Sequence, residues 1–286
     1  MTETAVTLAN WEVEEIDRAN DSGLTPVTFV HGLWLLSSSW KNWRDFFEVN
    51  GYTTIAPGWP DDPATIEDAY KNPEVFAHKM VQDVTDHYLA AISRLDKKPA
   101  VIGHSFGGLI SLKIAGDGAS FATVSIDNAP FKGVLPLPVS ALKSAAPVLG
   151  NPANHGRAIS LTFEQFQFGW TNNLDDTEAK HLYETYHVPA SGAPLFQAAV
   201  ANFNPFGGET KVNTENADRG PVLIIAGEND NTAPTAITHA THKYLSKHND
   251  AVTEIVDVPD RGHSLTIDHG WPEIAELALG FVKRFG

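Results

Sequence analysis

Apolar positions along the chain fall into two rhythms. Short, mostly apolar runs occupy residues 26–30, 51–56, 100–104, 121–126 and 221–227, each bounded by turn-forming residues; they predict strands buried on both faces. Between them lie longer stretches with helical spacing. Residues 37–50 place Trp40, Trp43, Phe46 and Phe47 on one stripe, most simply a core-packing face. Residues 72–95 predict a second helix, with Asn72 as its N-cap and Pro73 in the first turn. Ala77, Met80, Val81, Val84, Tyr88, Ala91, Ile92 and Leu95 form its apolar face. Residues 235–248 and the C-terminal stretch carrying Ile274, Leu277, Ala278, Phe281 and Val282 complete the helices. Strict alternation at 252–258 predicts a strand near an edge, and alternation at 11–16 an N-terminal edge strand.

Strand and helix therefore alternate, which predicts a parallel sheet with helices on both faces. In such sheets the ligand site lies beyond the carboxyl ends of the strands. His31, Trp59, Ser105 and Asp127 all fall at such ends. The pattern is interrupted at residues 132–213, where strand-like runs give way to proline-rich and aromatic segments. This block is too long for a simple connection. It reads as a helical lid over the strand ends, with residues 1–131 and 214–286 forming the core.

Composition narrows the chemistry. The 286 residues, 42% hydrophobic and 19% charged, describe an ordinary globular protein with a large core. The net charge of −15 argues against nucleic acid as a partner. There is no cysteine, so disulfides, thiolate metal sites and a cysteine nucleophile are excluded. No apolar run approaches a membrane span, and residues 1–10 lack a signal-peptide pattern. The expectation is a cytoplasmic protein without membrane insertion, acting on a small molecule and free to form a homodimer. No phosphate-cradling glycine motif follows the first strand, and His239 and His242 lack the glutamate of a zinc-protease helix. No metal and no cofactor are expected.

One stretch carries reactive chemistry. In Gly103-His104-Ser105-Phe106-Gly107, a serine sits between two glycines at the junction of a strand and a helix. This G-x-S-x-G turn holds a serine in a strained conformation and exposes its hydroxyl. A serine hydroxyl needs a base in reach and a carboxylate to orient that base. Asp230 follows the strand at 221–227, and His263 lies in the turn after the next strand. Ser105, Asp230 and His263 are the expected triad. Asp127 is a rival acid, Glu228 a weaker one, and Asp268 reads as a helix cap. The backbone N–H groups of Phe106 and Leu33 are expected to form the oxyanion hole, with His31 bracing the second loop. Trp34, Trp59, Phe131, Phe163 and Phe166 are candidate pocket walls. Lys132, Lys143 and Arg157 are the cations near enough to meet a charged substrate. Asp61 and Asp62, in a loop with three prolines over residues 57–63, read as a solvated turn.

The segments Phe29-Val30-His31-Gly32, Gly103 to Gly108, Gly227 to Asp230 and Gly262-His263-Ser264, in this order, resemble the α/β-hydrolase superfamily over nearly the whole chain. Within it the chain looks like the serine hydrolase branch found among actinobacterial α/β hydrolases, and more distantly like esterases, perhydrolases and C–C hydrolases. The resemblance implies an eight-stranded, mostly parallel α/β sheet, a helical lid between its sixth and seventh strands, and no required cofactor. Serine at position 105 separates the chain from branches that use an aspartate nucleophile. The implied function is hydrolysis of a carboxylic ester or related acyl bond. C–C bond hydrolysis, perhydrolysis, a lyase reaction or ligand binding without catalysis are the alternatives on the same fold.

Overall fold

The computed structural model describes residues 6–204 and 208–286. Expectations that fall on residues 1–5 and 205–207 lie outside the described residues. In chain order the elements begin with α1 (Asn10–Asp21), β1 (Thr25–Val30), α2 (Lys41–Val49) and β2 (Tyr52–Ile55). Next come α3 (Ile66–Lys71), α4 (Val81–Ile92), β3 (Ala100–His104), α5 (Phe106–Gly116) and β4 (Ala122–Ile126). A second block holds α6 (Val139–Leu149), β5 (Ala158–Ile159), α7 (Phe163–Gly169), α8 (Asp176–Tyr186), β6 (Ala190–Ser191) and α9 (Ala193–Val200). The chain closes with β7 (Val222–Gly227), α10 (Thr235–His248), β8 (Thr253–Val258) and α11 (Trp271–Val282).

Six strands pair in the order β2-β1-β3-β4-β7-β8, every pair parallel. Alternate side chains take opposite faces, as the pleat requires. Phe29, Ile102, Val124 and Ile225 pack with Trp43 and Phe47 of α2 and Ile274 and Phe281 of α11. Val30, Val101 and Ile224 pack with α4, α5 and α10 on the other side through Val84, Leu109 and Ile237. From β1 the chain first steps outward to β2, then returns to place β3 on the opposite flank of β1. The connections after β1 and β3 therefore leave in opposite directions and open a crevice at the carboxyl edge.

The sheet has six strands among the described residues, not eight, and the N-terminal expectation explains part of the difference. Residues 11–16 are helical, because the inward positions are Glu12, Ile16 and Ala19, one helical face rather than one strand face. Glu12 misled the alternation reading. It is a buried carboxylate that accepts from Gly58 N–H at 3.2 Å and lies 2.8 Å from His87 Nε2. Helix α1 covers the edge where a further strand would pair. Arg18 donates to Thr54 O at 2.7 Å and Glu15 accepts from Ala56 N–H at 3.1 Å, occupying backbone groups of β2.

The helix expected over residues 72–95 is also broken. Pro73 starts only a short 3₁₀ turn, Pro73–Phe76. His78 then takes φ 61°, a left-handed conformation that stops propagation, and α4 begins at Val81. Between β4 and β7 the chain is mainly helical as expected, with one addition, the antiparallel pair β5–β6. No helix among the described residues is long and apolar enough to cross a membrane.

The second block is sealed to the core through His187. Its Nε2 accepts from Leu161 N–H at 3.1 Å, which leaves the proton on Nδ1, 2.7 Å from the Tyr70 hydroxyl of α3. Burial lowers its pKa from 6.5 to about 4. The folded state therefore binds fewer protons than the unfolded chain between those values, and stability falls as pH drops through that window. This group alone is expected to remove about 3 kcal/mol by pH 4. Denaturant unfolding at pH 7, 5.5 and 4.5 should give a shallower acid loss in His187→Gln than in wild type. Equal slopes would mean that another group controls it.

Candidate active site

The residue after β3 is Ser105, with φ 60° and ψ −121°. Such a conformation is costly for a residue with a Cβ and persists only where the surroundings enforce it. Here they do so by proximity. A Cβ on Gly103 would lie 2.1 Å from Gly107 O, and one on Gly107 would lie 2.1 Å from Val30 O. A Cβ on Gly32 would lie 2.8 Å from that of Ser105. The glycines are there for space, so that strand, elbow and neighbouring loop can touch backbone to backbone.

Ser105, His263 and Asp230 come together at this point. Ser105 Oγ lies 3.0 Å from His263 Nε2, and His263 Nδ1 lies 2.6 Å from Asp230 Oδ2. The serine is 6% exposed and the imidazole wholly buried. The other carboxylate oxygen of Asp230 accepts from Thr232 N–H at 2.6 Å and Ala233 N–H at 2.9 Å. Those bonds hold the carboxylate in one rotamer. The loop of His263 is fixed through the next residue. Ser264 N–H donates to Trp170 O at 3.0 Å, and Ser264 Oγ donates to Asp268 Oδ2 at 3.0 Å. Asp268 also binds the Arg261 guanidinium and accepts from Gly270 N–H, so it braces the histidine loop besides capping the next turn. The Trp170 ring stands edge-on to His263 with centroids 4.6 Å apart.

His104 packs beside His263 at 4.6 Å between ring centroids. Burial, reinforced by the neighbouring His263, pushes its pKa well down. It therefore stays neutral beside His263.

The N–H groups of Leu33 and Phe106 donate to no protein acceptor among the described residues. Phe106 opens α5, where the first N–H groups have no intrahelical partner and the helix dipole is positive. The loop carrying Leu33 is rigid. His31 Nδ1 lies 2.9 Å from Gly32 O, and its Nε2 lies 3.2 Å from Asp62 Oδ2. Asp62 is thus turned inward rather than solvated, and only Asp61 faces water. Trp34 follows at φ 63°. Its indole donates to Ile159 O at 3.0 Å and its carbonyl accepts from Val188 N–H at 3.0 Å, tying the loop to the β5–β6 pair.

A cavity of about 240 Å³ opens beside Ser105, Phe106 and Trp34. Its walls come chiefly from α6 and α9, through Ala141, Leu142, Ala145, Leu195, Ala198 and Ala199. No charged side chain lines it. The polar groups at its edge, Ser144 and Thr232, are bonded to each other, and Thr232 donates onward to Gly169 O.

Of the aromatic walls expected from sequence, only Trp34 lines this cavity. Trp59 is buried against His31, with its indole donating to His31 O. Phe131 packs edge-on to Tyr244, Phe166 stacks on Trp170, and Phe163 meets Tyr183. Phe163 and Phe166 build the core of the second block and Trp59 and Phe131 pack in the main core, because large apolar side chains are consumed by packing. Small residues on α6 and α9 leave the space, and alanine carries no reactive signal in a sequence. Lys132, Lys143 and Arg157 do not line the cavity, and Lys143 lies over the Phe168 ring at 3.9 Å. Of the rival acids, Glu228 is exposed and Asp127 is buried behind Asp230, which is the carboxylate that bonds His263.

The chain matches the model of the alpha/beta hydrolase family over residues 29–277. No curated protein matches it. Among solved structures it is similar to a monoacylglycerol lipase from Paleococcus ferrophilus, at 19% identity and TM-score 0.63, covering 91% of this chain and 95% of that one. It is similar to an extracellular alpha/beta-hydrolase from a Paenibacillus species, at 20% identity and TM-score 0.66, covering 90% and 98%. A pyrethroid hydrolase from Sphingobium faniae JZ-2 follows at 16% identity and TM-score 0.59, covering 91% and 97%. These identities show a common fold.

The crowding at the elbow makes a direct prediction. Gly103→Ala should lose more than about 3 kcal/mol of stability, because the new Cβ meets backbone that has nowhere to move. Gly280→Ala, with nothing near the new methyl in α11, should gain about 0.5–1 kcal/mol. Chemical denaturation of the two variants measures both.

Proposed function

The chain belongs to the alpha/beta hydrolase family, and from that premise we propose that it is a serine hydrolase acting on neutral carboxylic esters with an apolar acyl group. The observation that carries the reading is the continuous relay Asp230–His263–Ser105, at 2.6 and 3.0 Å, ending at the floor of an uncharged apolar cavity.

The geometry supports a two-step acyl transfer. Ser105 Oγ donates its proton to His263 Nε2 as it attacks the ester carbonyl. Asp230 accepts from His263 Nδ1, holds the reactive tautomer and stabilises the imidazolium. The carbonyl oxygen becomes an oxyanion facing the N–H groups of Phe106 and Leu33. His263 then gives the proton to the departing alkoxide. A water molecule, deprotonated by the same imidazole, hydrolyses the acyl-enzyme and returns Ser105.

Apolar walls, and the absence of a cation to meet a carboxylate, support an uncharged acyl chain as the group bound between α6 and α9. In this reading the second block serves as the lid expected from sequence. The residues left unpaired for catalysis are backbone donors, which no charged substrate group needs to neutralise.

A fluorophosphonate probe followed by intact-mass measurement tests the reading. Wild type should gain one adduct, and Ser105→Ala none. An unlabelled Ser105 in folded wild type would overturn it. Asp230→Asn should lower kcat on p-nitrophenyl butyrate by about 10⁴-fold through the wrong histidine tautomer. Across p-nitrophenyl esters, kcat/KM should rise by about fourfold per added methylene until the cavity is full. Ala198→Phe should abolish that rise while leaving acetate turnover close to wild type. A flat wild-type series would remove the apolar cavity as the acyl site.

A further inference from the structure

We propose that Asp127 is a positioning residue of this site, held as a neutral carboxylic acid whose O–H donates to Asp230 and steadies that carboxylate against His263. The proposal rests on the serine hydrolase reading above.

The residue follows β4 directly and takes φ 42°, a strained conformation for aspartate, with no exposed surface. Its backbone N–H donates to Ile225 O at 2.9 Å, and its Oδ1 accepts from Gly227 N–H at 2.7 Å. The strain and these bonds aim the carboxyl group at the loop after β7. Its Oδ2 is buried and meets no donor among the described residues. A buried carboxylate oxygen without a donor is costly, and native structures rarely leave one.

The groups around it decide where the proton sits. From the loop after β7 comes Asp230, and from the ends of β3 and β8 come His104 and His263, each with a ring nitrogen within 4.8 Å of an Asp127 oxygen. Arg261 is the cation whose charge reaches Asp127, but its guanidinium is engaged by Asp268. Among the described residues His104 donates no hydrogen bond to Asp127. Two ionised carboxylates cannot share a dry site without strong repulsion, so one takes a proton. Asp230 already accepts from Thr232 N–H, Ala233 N–H and His263 Nδ1. Asp127 accepts from a single backbone N–H. The better-solvated anion is Asp230, and the proton settles on Asp127. In agreement, burial and then the charge of Asp230 raise the pKa of Asp127 well above the ordinary carboxylate range.

With the proton on Oδ2, the unsatisfied oxygen becomes a donor and Asp230 gains a further bond. The relay then has a fixed back wall: Asp127 holds Asp230, Asp230 holds His263, and His263 holds Ser105. Asparagine can reproduce this arrangement, since its amide N–H₂ donates where the acid does and its oxygen accepts from Gly227. Alanine cannot.

Three measurements on the full chain test this. In the infrared spectrum at neutral pH, wild type should carry a protonated-carboxyl carbonyl band that disappears in Asp127→Asn. This reads the proton without reference to turnover, so it stands even if the probe experiment above overturns the hydrolase reading. On p-nitrophenyl butyrate, folded Asp127→Ala should lose about ten- to a hundredfold in kcat with KM little changed, and Asp127→Asn should rescue most of that loss. The acid limb of kcat/KM against pH should coincide in wild type and Asp127→Asn, because a neutral group replaces a neutral group. If Asp127 were ionised, removing its charge would make His263 less basic and move that limb to lower pH, and the proposal would fail. It fails equally if Asp127→Asn is as impaired as Asp230→Asn, or if the infrared band is absent. Should Asp127→Ala not fold, the asparagine variant and the band decide the matter alone.

Discussion

Ser105 is held at φ 60° at a point where backbones come closer than any side chain would allow. Gly32, Gly103 and Gly107 remove the Cβ atoms that would keep β1, β3 and α5 apart at that point. The rest of the structure follows from this contact. The six parallel strands put the ends of β1 and β3 side by side, and the reversal of strand order between them leaves room above the serine. The loops after β7 and β8 then reach across with a carboxylate and an imidazole. A shift of the elbow by the width of a methyl group would break the 3.0 Å contact with His263 and displace the Phe106 N–H at once.

Much of this was legible in the amino-acid order. Strand-ending glycine, aspartate and histidine marked the carboxyl edge, because a parallel sheet gathers its loops there. The relay of Ser105, Asp230 and His263 could be read because these residues each close a strand in sequence, and the fold converts that position into proximity. What could not be read were features set by partners distant in sequence. Glu12 looks like the solvent face of a strand until His87 and Gly58 supply its hydrogen bonds. The continuous apolar face over residues 72–95 gave no warning of the left-handed turn at His78. The cavity walls escaped for a related reason. Attention goes to aromatic rings, yet a void is made where side chains are small, and Ala141, Ala145, Ala198 and Ala199 mark it by what they lack.

The charged groups divide into two populations. Most of the acidic excess lies at the surface, where exposed pairs such as Lys41–Asp45 contribute little to stability. Others lie inside, among them three pairs: Glu12 with His87, Arg261 with Asp268, and Asp230 with His263. In each of these three pairs the carboxylate accepts from backbone N–H as well as from its partner, which makes burial of charge tolerable. Two of these three pairs fix the loop of His263.

The double attachment of Trp34 to Ile159 and Val188 has a wider consequence. It makes the β5–β6 pair mechanically part of the loop that carries Leu33 and Trp34, so one half of the second block is a fixed wall. Helix α6 meets the loop after β7 through the single hydroxyl contact of Ser144 with Thr232. Val148 is its one buried residue, a proline sits within it, and several of its apolar side chains face outward. The insertion is thus a jamb and a leaf. Substitutions in the leaf can reshape the cavity beside Ser105 while the jamb keeps the Leu33 loop and the Ser105–His263–Asp230 contacts in register.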